Sequence, residues 1–165
     1  MTYIAIYNSP IGLLYLASDG SSLIGLWIEG QKYFSASIQG ESAQIHPDLP
    51  VFQQTILWLD AYFAKEPLPV MPPLSPQGSP FRQSVWELLM DIPYGQTSTY
   101  GAISRLLQRR GISASAQAVG GAVGHNPISI LIPCHRVLGA NGCLTGYAGG
   151  IEKKKFLLNL EGVEC

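Results

Sequence analysis

Cys134 stands between Pro133 and the pair His135-Arg136, at the end of the apolar run Ile130-Leu131-Ile132. A cysteine near neutral pH is mostly thiol, and only the thiolate is a useful nucleophile. Activation needs a nearby base and a group to orient that base. His135 is adjacent in sequence, but neighbouring side chains often diverge. Taken alone, the dipeptide favours a buried cysteine beside a solvated histidine. The histidines fall at 46, 125 and 135, and no CxxC or HxxxH pair occurs, so no metal site is expected. His46, in His46-Pro47-Asp48, reads as a surface residue leading into a helix. The three cysteines, Cys134, Cys143 and Cys165, make no disulfide framework. Met1-Thr2-Tyr3 opens directly into a strand-like segment without a basic leader, so the expected compartment is a reducing cytosol. Cys143 and Cys165 have no partner motif and read as incidental.

Apolar residues make up 47% of the chain and charged residues 13%, which suits a folded globule rather than a disordered one. The longest apolar runs, Ile4–Tyr7, Leu23–Ile28 and Ile128–Ile132, are too short to span a bilayer. Charge is unevenly spread. Residues 1–79 hold two lysines against six acids, net −4, while residues 80–165 hold eight bases against five acids, net +3. Such a split is expected if only the second half meets a polyanion, and ordinary scatter produces it about as often.

The elements that must hold Cys134 divide at a proline-rich stretch. Upstream, Tyr3–Tyr7, Leu13–Ala17 and Leu23–Ile28 read as strands of an antiparallel meander, broken by Ser9-Pro10-Ile11-Gly12 and Asp19-Gly20-Ser21-Ser22. Val51, Phe52, Thr55, Ile56, Leu59, Tyr62 and Phe63 recur at helical spacing between Pro50 and Phe63 and would pack one face on that sheet. Residues 67–78 carry five prolines, cannot be helix interior, and read as a stiff linker with a domain boundary near residue 76.

Downstream the pattern is helical. Ser79-Pro80 is an N-cap followed by proline at the first helical position, with Phe81, Val85, Leu88 and Leu89 as the buried stripe. A second helix is expected from about Thr97–Thr99 to Leu107, and a third from Ser113 to Gly124 after a turn through Arg110-Gly111-Ile112. That outline is a helix-turn-helix, which many helical hairpins share. The third helix has almost no bulk. Gln117, Gly120, Gly121 and Gly124 fall on one side of it, and Ala116, Val119 and Val123 on the other. Each exposed helical glycine costs about 1 kcal/mol relative to alanine. Two reasons are open: tight packing inside the domain, or close approach of the helix backbone to a large flat partner. Lys153-Lys154-Lys155 reads as a solvated helix face.

Taken together, Asn126-Pro127, Pro133-Cys134-His135-Arg136, Leu144-Thr145-Gly146-Tyr147-Ala148-Gly149-Gly150 and Leu157-Leu158-Asn159-Leu160-Glu161-Gly162 resemble the O6-alkylguanine-DNA alkyltransferase family. Phe81-Arg82-Gln83-Ser84-Val85-Trp86 and Ile92-Pro93-Tyr94-Gly95-Gln96-Thr97 fit its upstream pattern, and Ser9-Pro10-Ile11-Gly12 with Gly25-Leu26-Trp27 fits its N-terminal part more loosely. The resemblance implies an α/β two-domain fold. Residues 1–75 would form a ribonuclease H-like sheet-and-helix domain, and residues 76–165 a mainly helical, winged-helix-like domain that binds DNA and accepts the alkyl group.

It also implies a stoichiometric DNA repair reaction without a cofactor. The helix-turn-helix would approach double-stranded DNA from the minor groove and rotate the damaged nucleotide out of the stack. Cys134 would take a methyl or larger alkyl group from O6 of guanine, or from O4 of thymine. His135 would draw off the thiol proton through a water, and Glu161 would orient the imidazole, which is triad logic with cysteine in the lead role. Tyr147 would offer its hydroxyl to the base, while the Ala148 amide and the Cys134 and Val137 carbonyls read the guanine edge. Asn126 would brace the segment holding the thiol. Tyr100 would press on the phosphate beside the flipped nucleotide, with Gln117, Gly120, Gly121 and Arg136 also on the DNA side, although Arg136 could instead pair within the domain. The thioether product is not reversed by cellular reductants, so each molecule acts once, as a monomer in the cytoplasm or on the nucleoid, or in the nucleus of a eukaryote.

One position departs from the family pattern. Where the family usually places an arginine that fills the gap left by the flipped base, this chain has Gln117. Two other functions compete. An alkyltransferase-like protein that binds lesions without transfer typically lacks the cysteine that Cys134 provides. A cysteine hydrolase needs an oxyanion hole, and no local hydrolase signature is present. A regulatory variant with a metal-linked, phosphate-sensing cysteine would need an N-terminal cysteine cluster, which this chain does not have.

Overall fold

The computed structural model describes residues 1–36, 40, 42–139, 142 and 147–164. Cys143, Cys165 and the Leu144-Thr145-Gly146 part of the motif lie outside the described residues. The chain divides into two compact units, Met1–Gln77 with Pro127–Leu131, and Gly78–Asn126 with Ile132–Cys165.

In the first unit, β1 (Thr2–Ser9), β2 (Gly12–Ser18) and β3 (Leu23–Ile28) form the antiparallel meander, paired Tyr3 with Ser18 and Leu16 with Leu26. A fourth strand, β4 (Ala43–Ile45), adds to β1 in parallel, which makes the sheet mixed, in the order β3-β2-β1-β4. All three of its residues are exposed, so no alternation marks it; its backbone hydrogen bonds alone define it. Helix α1 (Pro50–Phe63) buries Val51, Phe52, Thr55, Trp58, Leu59 and Tyr62. Ala17, Ile24 and Trp27 form a second cluster, with Phe34 packed on it.

The proline stretch is more than a spacer. Leu23 donates its amide to the Pro73 carbonyl, and Ser75 donates to Leu23, so the stretch docks on the open edge of β3. The same edge takes residues 127–131: the Leu26 amide donates to Pro127, and the Ser129 amide donates to Leu26. Proline can sit there because an edge strand can spare its donor. A turn around Ile130 follows, closed by a Leu131 amide to Ser129 carbonyl bond of 2.8 Å, with Ile130 at φ +71°. A buried β-branched residue in that region is strained, a feature that clusters at functional sites.

In the second unit, α2 (Pro80–Met90) starts on Ser79, whose hydroxyl accepts the Arg82 amide. Trp86, rather than Phe81, completes its buried stripe with Val85, Leu88 and Leu89. The Trp86 indole donates to the Ala122 carbonyl at 2.9 Å, tying α2 to α4 (Ala116–Gly124). Helix α3 (Tyr100–Arg109) is capped by Thr99, and α4 by Ser115. The intervening turn is pinned where the Ser104 hydroxyl meets the Ala114 carbonyl. Strands β5 (Ser98–Thr99) and β6 (Val137–Leu138) pair in parallel, and α5 (Ile151–Leu160) closes the unit.

Candidate active site

Cys134 opens a single 3-10 turn, Cys134–Arg136, that all three residues spend buried. Pro133, at φ −81° and ψ 64°, bends the chain so that the Cys134 amide donates to the Ile132 carbonyl at 2.8 Å. This is an inverse γ-turn, a conformation proline's fixed φ suits. The turn closes when the Val137 amide donates to the Cys134 carbonyl. Asn126, just past the end of α4, donates its side-chain amide to the Ile132 carbonyl at 2.9 Å and so holds the approach to the cysteine.

His135 is wholly buried, with Nε2 2.6 Å from Glu161 Oε2. The same carboxylate accepts from the Gly95 amide (3.0 Å) and twice from the Arg136 guanidinium, Nε at 2.8 Å and Nη2 at 3.2 Å. Four donors converge on two oxygens. Glu161 is therefore acceptor-only, and the imidazole must present its proton at Nε2. That leaves the lone pair on Nδ1, which is buried and has no hydrogen-bond partner among the described residues. Burial holds the imidazole below its ordinary range; Glu161 opposes this, while the Arg136 and Lys154 charges reinforce it. A neutral ring with a bare Nδ1 is a proton acceptor in waiting.

The thiol is pushed up by burial, and the neighbouring Asn126 and Tyr147 together with the Lys154 charge pull it back. Tyr100, at the first position of α3, is half-buried and close enough to feel the charge of Cys134. Its ring lies 3.9 Å from where a Cβ on Gly120 would stand, so α3 and α4 approach each other at this tyrosine. Tyr147 and Ala148 are both partly buried, just ahead of α5.

Three expectations need correction. Arg136 does not face outward toward a phosphate: it is 7% exposed, bound to Glu161 and, through Nη1, to the Ile92 carbonyl at 2.7 Å. A buried cation needs such a counter-charge, and Glu161 provides it. Lys154 is not part of a solvated face but fully buried, and donates to the Val137 carbonyl at 2.8 Å. The period of α5 could have revealed this, because residues 154, 157, 158 and 161 share one face, and Leu157 and Leu158 mark that face as inward. His46 is partly buried, its ring set edge-on against Tyr3.

The glycines of α4 are now explained from one side. A Cβ on Gly121 or Gly124 would meet nothing within 4 Å, so internal packing does not demand them. Gln117 and Gly121 are exposed, whereas Val119, Ala122 and Val123 face the core.

Two family models match the chain: 6-O-methylguanine DNA methyltransferase, ribonuclease-like domain, over residues 2–76, and the DNA binding domain of the same family over residues 80–163. The methylated-DNA–protein-cysteine methyltransferase of Haemophilus influenzae is 41% identical over 98% of this chain and 87% of its own length. The protein of that name from Methanosarcina acetivorans is 44% identical over 97% of this chain and 98% of its own. Among solved structures, Mycobacterium tuberculosis OGT in complex with DNA aligns with TM-score 0.83 and 43% identity, over 96% of this chain and 92% of that one.

Proposed function

Since the chain belongs to the 6-O-methylguanine DNA methyltransferase family, and is thus a DNA-binding repair enzyme that moves an alkyl group from DNA to a protein cysteine, we propose that its acceptor is Cys134. The observation that carries this is buried Cys134 in one 3-10 turn with His135, whose Nε2 is held by the Glu161 carboxylate and whose Nδ1 has no hydrogen-bond partner among the described residues. His135 takes the thiol proton at Nδ1 through a bridging water. The sulfur attacks the alkyl carbon, the S–C bond forms, and the C–O6 bond breaks with its electron pair going to the guanine. Tyr147 offers its hydroxyl to the departing base, and the Ala148 amide with the Cys134 and Val137 carbonyls reads its edge. Each of those carbonyls already accepts one hydrogen bond within the protein and retains a second lone pair.

DNA approaches α4 along the side that carries Gln117, Gly120 and Gly121, from the minor groove, and Tyr100 braces the backbone beside the extruded nucleotide. The protein works as a monomer, in the cytoplasm or at the nucleoid. Incubation with a duplex containing O6-methylguanine should add the mass of one methyl group to the intact protein, located on the Cys134 peptide. A methyl group on Cys143 or Cys165, or repeated turnover, overturns the assignment.

Gln117 sets the expected strength of that contact. Extruding a nucleotide costs a few kcal/mol of stacking and pairing. Arginine would contribute volume and attraction to the negative minor groove, whereas glutamine keeps most of the volume and no charge. Gln117→Arg should tighten duplex binding and steepen its salt dependence by about one phosphate-equivalent. Gln117→Ala should impair repair in duplexes more than in single strands. Arg109 or Arg110, just upstream of α4, is the alternative void-filler, and Arg110 is exposed and 4.0 Å from an exposed Glu87. Loss of duplex preference in Arg110→Ala but not in Gln117→Ala, read from binding isotherms over a salt series, transfers the role to Arg110.

A further inference from the structure

The segment Ile92-Pro93-Tyr94-Gly95-Gln96-Thr97, between α2 and β5, supplies no reacting group, yet three of its residues touch the buried network. The Ile92 carbonyl accepts from Arg136 Nη1 at 2.7 Å. Tyr94 sets its ring centre 5.8 Å from Cζ of the same guanidinium, and its hydroxyl donates to the Leu160 carbonyl at 3.4 Å. The Gly95 amide donates to Glu161 Oε1 at 3.0 Å.

The glycine explains how the segment comes so close. Gln96 donates its amide to the Pro93 carbonyl at 3.1 Å, and Gly95, the third residue of that turn, has φ +77°, which favours glycine. A Cβ on Gly95 would stand 3.1 Å from the Glu161 carbonyl oxygen, so the turn lies directly against the main chain there. Its amide and Arg136 Nε share Oε1, which leaves Oε2 to His135 Nε2, with Arg136 Nη2 alongside. The rotation of the carboxylate is fixed by these donors. Arg136, which supplies two of them, is 7% exposed, whereas Tyr94 is 41% exposed. A half-exposed ring over a buried cation covers it on the solvent side, and an aromatic face attracts a cation more strongly where water is kept out.

Resting on Cys134 as the acceptor and His135 as its base, we propose that Tyr94 is a positioning residue for the transfer: its ring keeps water from the Arg136–Glu161 pair and so keeps the carboxylate aimed at His135 Nε2. The charged groups that face the imidazole are Glu161 after α5, Lys154 within α5 and Arg136 in its own turn. Burial and the two positive charges hold the ring neutral, against the pull of Glu161. Water admitted beside Arg136 weakens both the burial and the Arg136 charge, and each change lets the imidazole bind a proton at higher pH. A protonated imidazole cannot take the thiol proton, so uncovering the pair should cost most in acid.

The rate of methyl transfer from a saturating O6-methylguanine duplex is measured against pH for full-length wild type, Tyr94→Ala and Tyr94→Phe. In the same proteins without DNA, solvent exchange of the His135 Nε2 proton is followed by NMR. Tyr94→Ala should slow transfer about fivefold at neutral pH, the scale of a desolvated cation–ring contact. Its deficit should widen below about pH 6.5, the ordinary histidine value, and the Nε2 proton should exchange faster. Tyr94→Phe, which keeps the ring and gives up only the long hydroxyl bond, should restore the wild-type rate, pH profile and exchange. Should the alanine variant fail to fold, Tyr94→Leu keeps apolar bulk without an aromatic face, and the same widening deficit and faster exchange are expected. A phenylalanine variant as slow as the alanine one would give the role to the hydroxyl. A deficit equal at every pH with unchanged exchange would leave Tyr94 a packing residue, and one confined to the half-saturating duplex concentration would make it a DNA contact. Each of these overturns the proposal. Wild-type protein without methyl on Cys134 would instead overturn the acceptor assignment, while the Nε2 exchange, read without DNA, still tests Tyr94.

Discussion

Cys134→Ala protein incubated with an O6-methylguanine duplex should gain no mass and return the lesion unrepaired, while still binding the duplex. On the proposed assignment the thiol is the nucleophile, and Cys134 is the one free cysteine among the described residues. The substitution removes one buried atom and creates no buried charge, so its cost to stability should be small, within the common range of about 0.5–3 kcal/mol. Binding should persist because the exposed residues of α4 are untouched and α4 is anchored through Trp86 and Ala122. Mass spectrometry of the intact protein, native gel shift and recovery of the methylated oligonucleotide together test this. Residual methylation of the variant would place the acceptor elsewhere. A variant that neither transfers nor binds would mean that Cys134 shapes the domain rather than reacting.

Much of this site was legible because its parts are short local patterns. Pro133-Cys134-His135-Arg136 sits in one turn, and Glu161 closes the recognisable Leu157–Gly162 segment. Resemblance to the family supplied the pairing of His135 with Glu161 across 26 residues, which no periodicity could. The caps at Ser79 and the proline behind it were equally readable, since an N-cap is a property of a few adjacent residues.

Arg136 and Lys154 share one cause: a charged residue reads from sequence as solvated. Arg136 reads as a DNA-side residue that could also pair inside, and the Glu161 carboxylate decides for the interior. Lys154 reads with its neighbours as one charge run, yet helical geometry turns 153, 154 and 155 in different directions, and only Lys154 joins Leu157 and Leu158. Strand β4 and the docking of residues 73–75 and 127–129 on β3 depend on backbone hydrogen bonds between segments far apart in sequence. Side-chain patterns carry little trace of such pairings.

The buried network makes the second large effect unequal between its two members. Replacing His135 by asparagine removes the proton acceptor and should slow methyl transfer by about 10²–10⁴-fold, the usual scale for a positioned base. Glu161→Gln should slow transfer to a similar extent, because the neutral amide no longer fixes which imidazole nitrogen carries the proton. In transfer rate the double variant should be little worse than either single one, as for groups that act as a unit. Stability should divide them. His135→Asn leaves the Arg136–Glu161 pair intact, whereas Glu161→Gln turns one acceptor oxygen into a donor and strands a guanidinium that is 7% exposed. Removing one partner of a buried pair costs about 3–5 kcal/mol, a large share of the roughly 5–15 kcal/mol that holds a domain folded. The His135 charge adds a pH signature. Its folded-state pKa is depressed, so the unfolded chain binds the proton more readily. The stability this contributes is present above the ordinary histidine range, about pH 6.5, and is lost as pH falls below it. Denaturant melts of the four proteins between neutral and mildly acidic pH should therefore show the acid loss in wild type and its reduction in His135→Asn. Transfer losses that simply multiply in the double variant would mean that His135 and Glu161 act on Cys134 by separate routes.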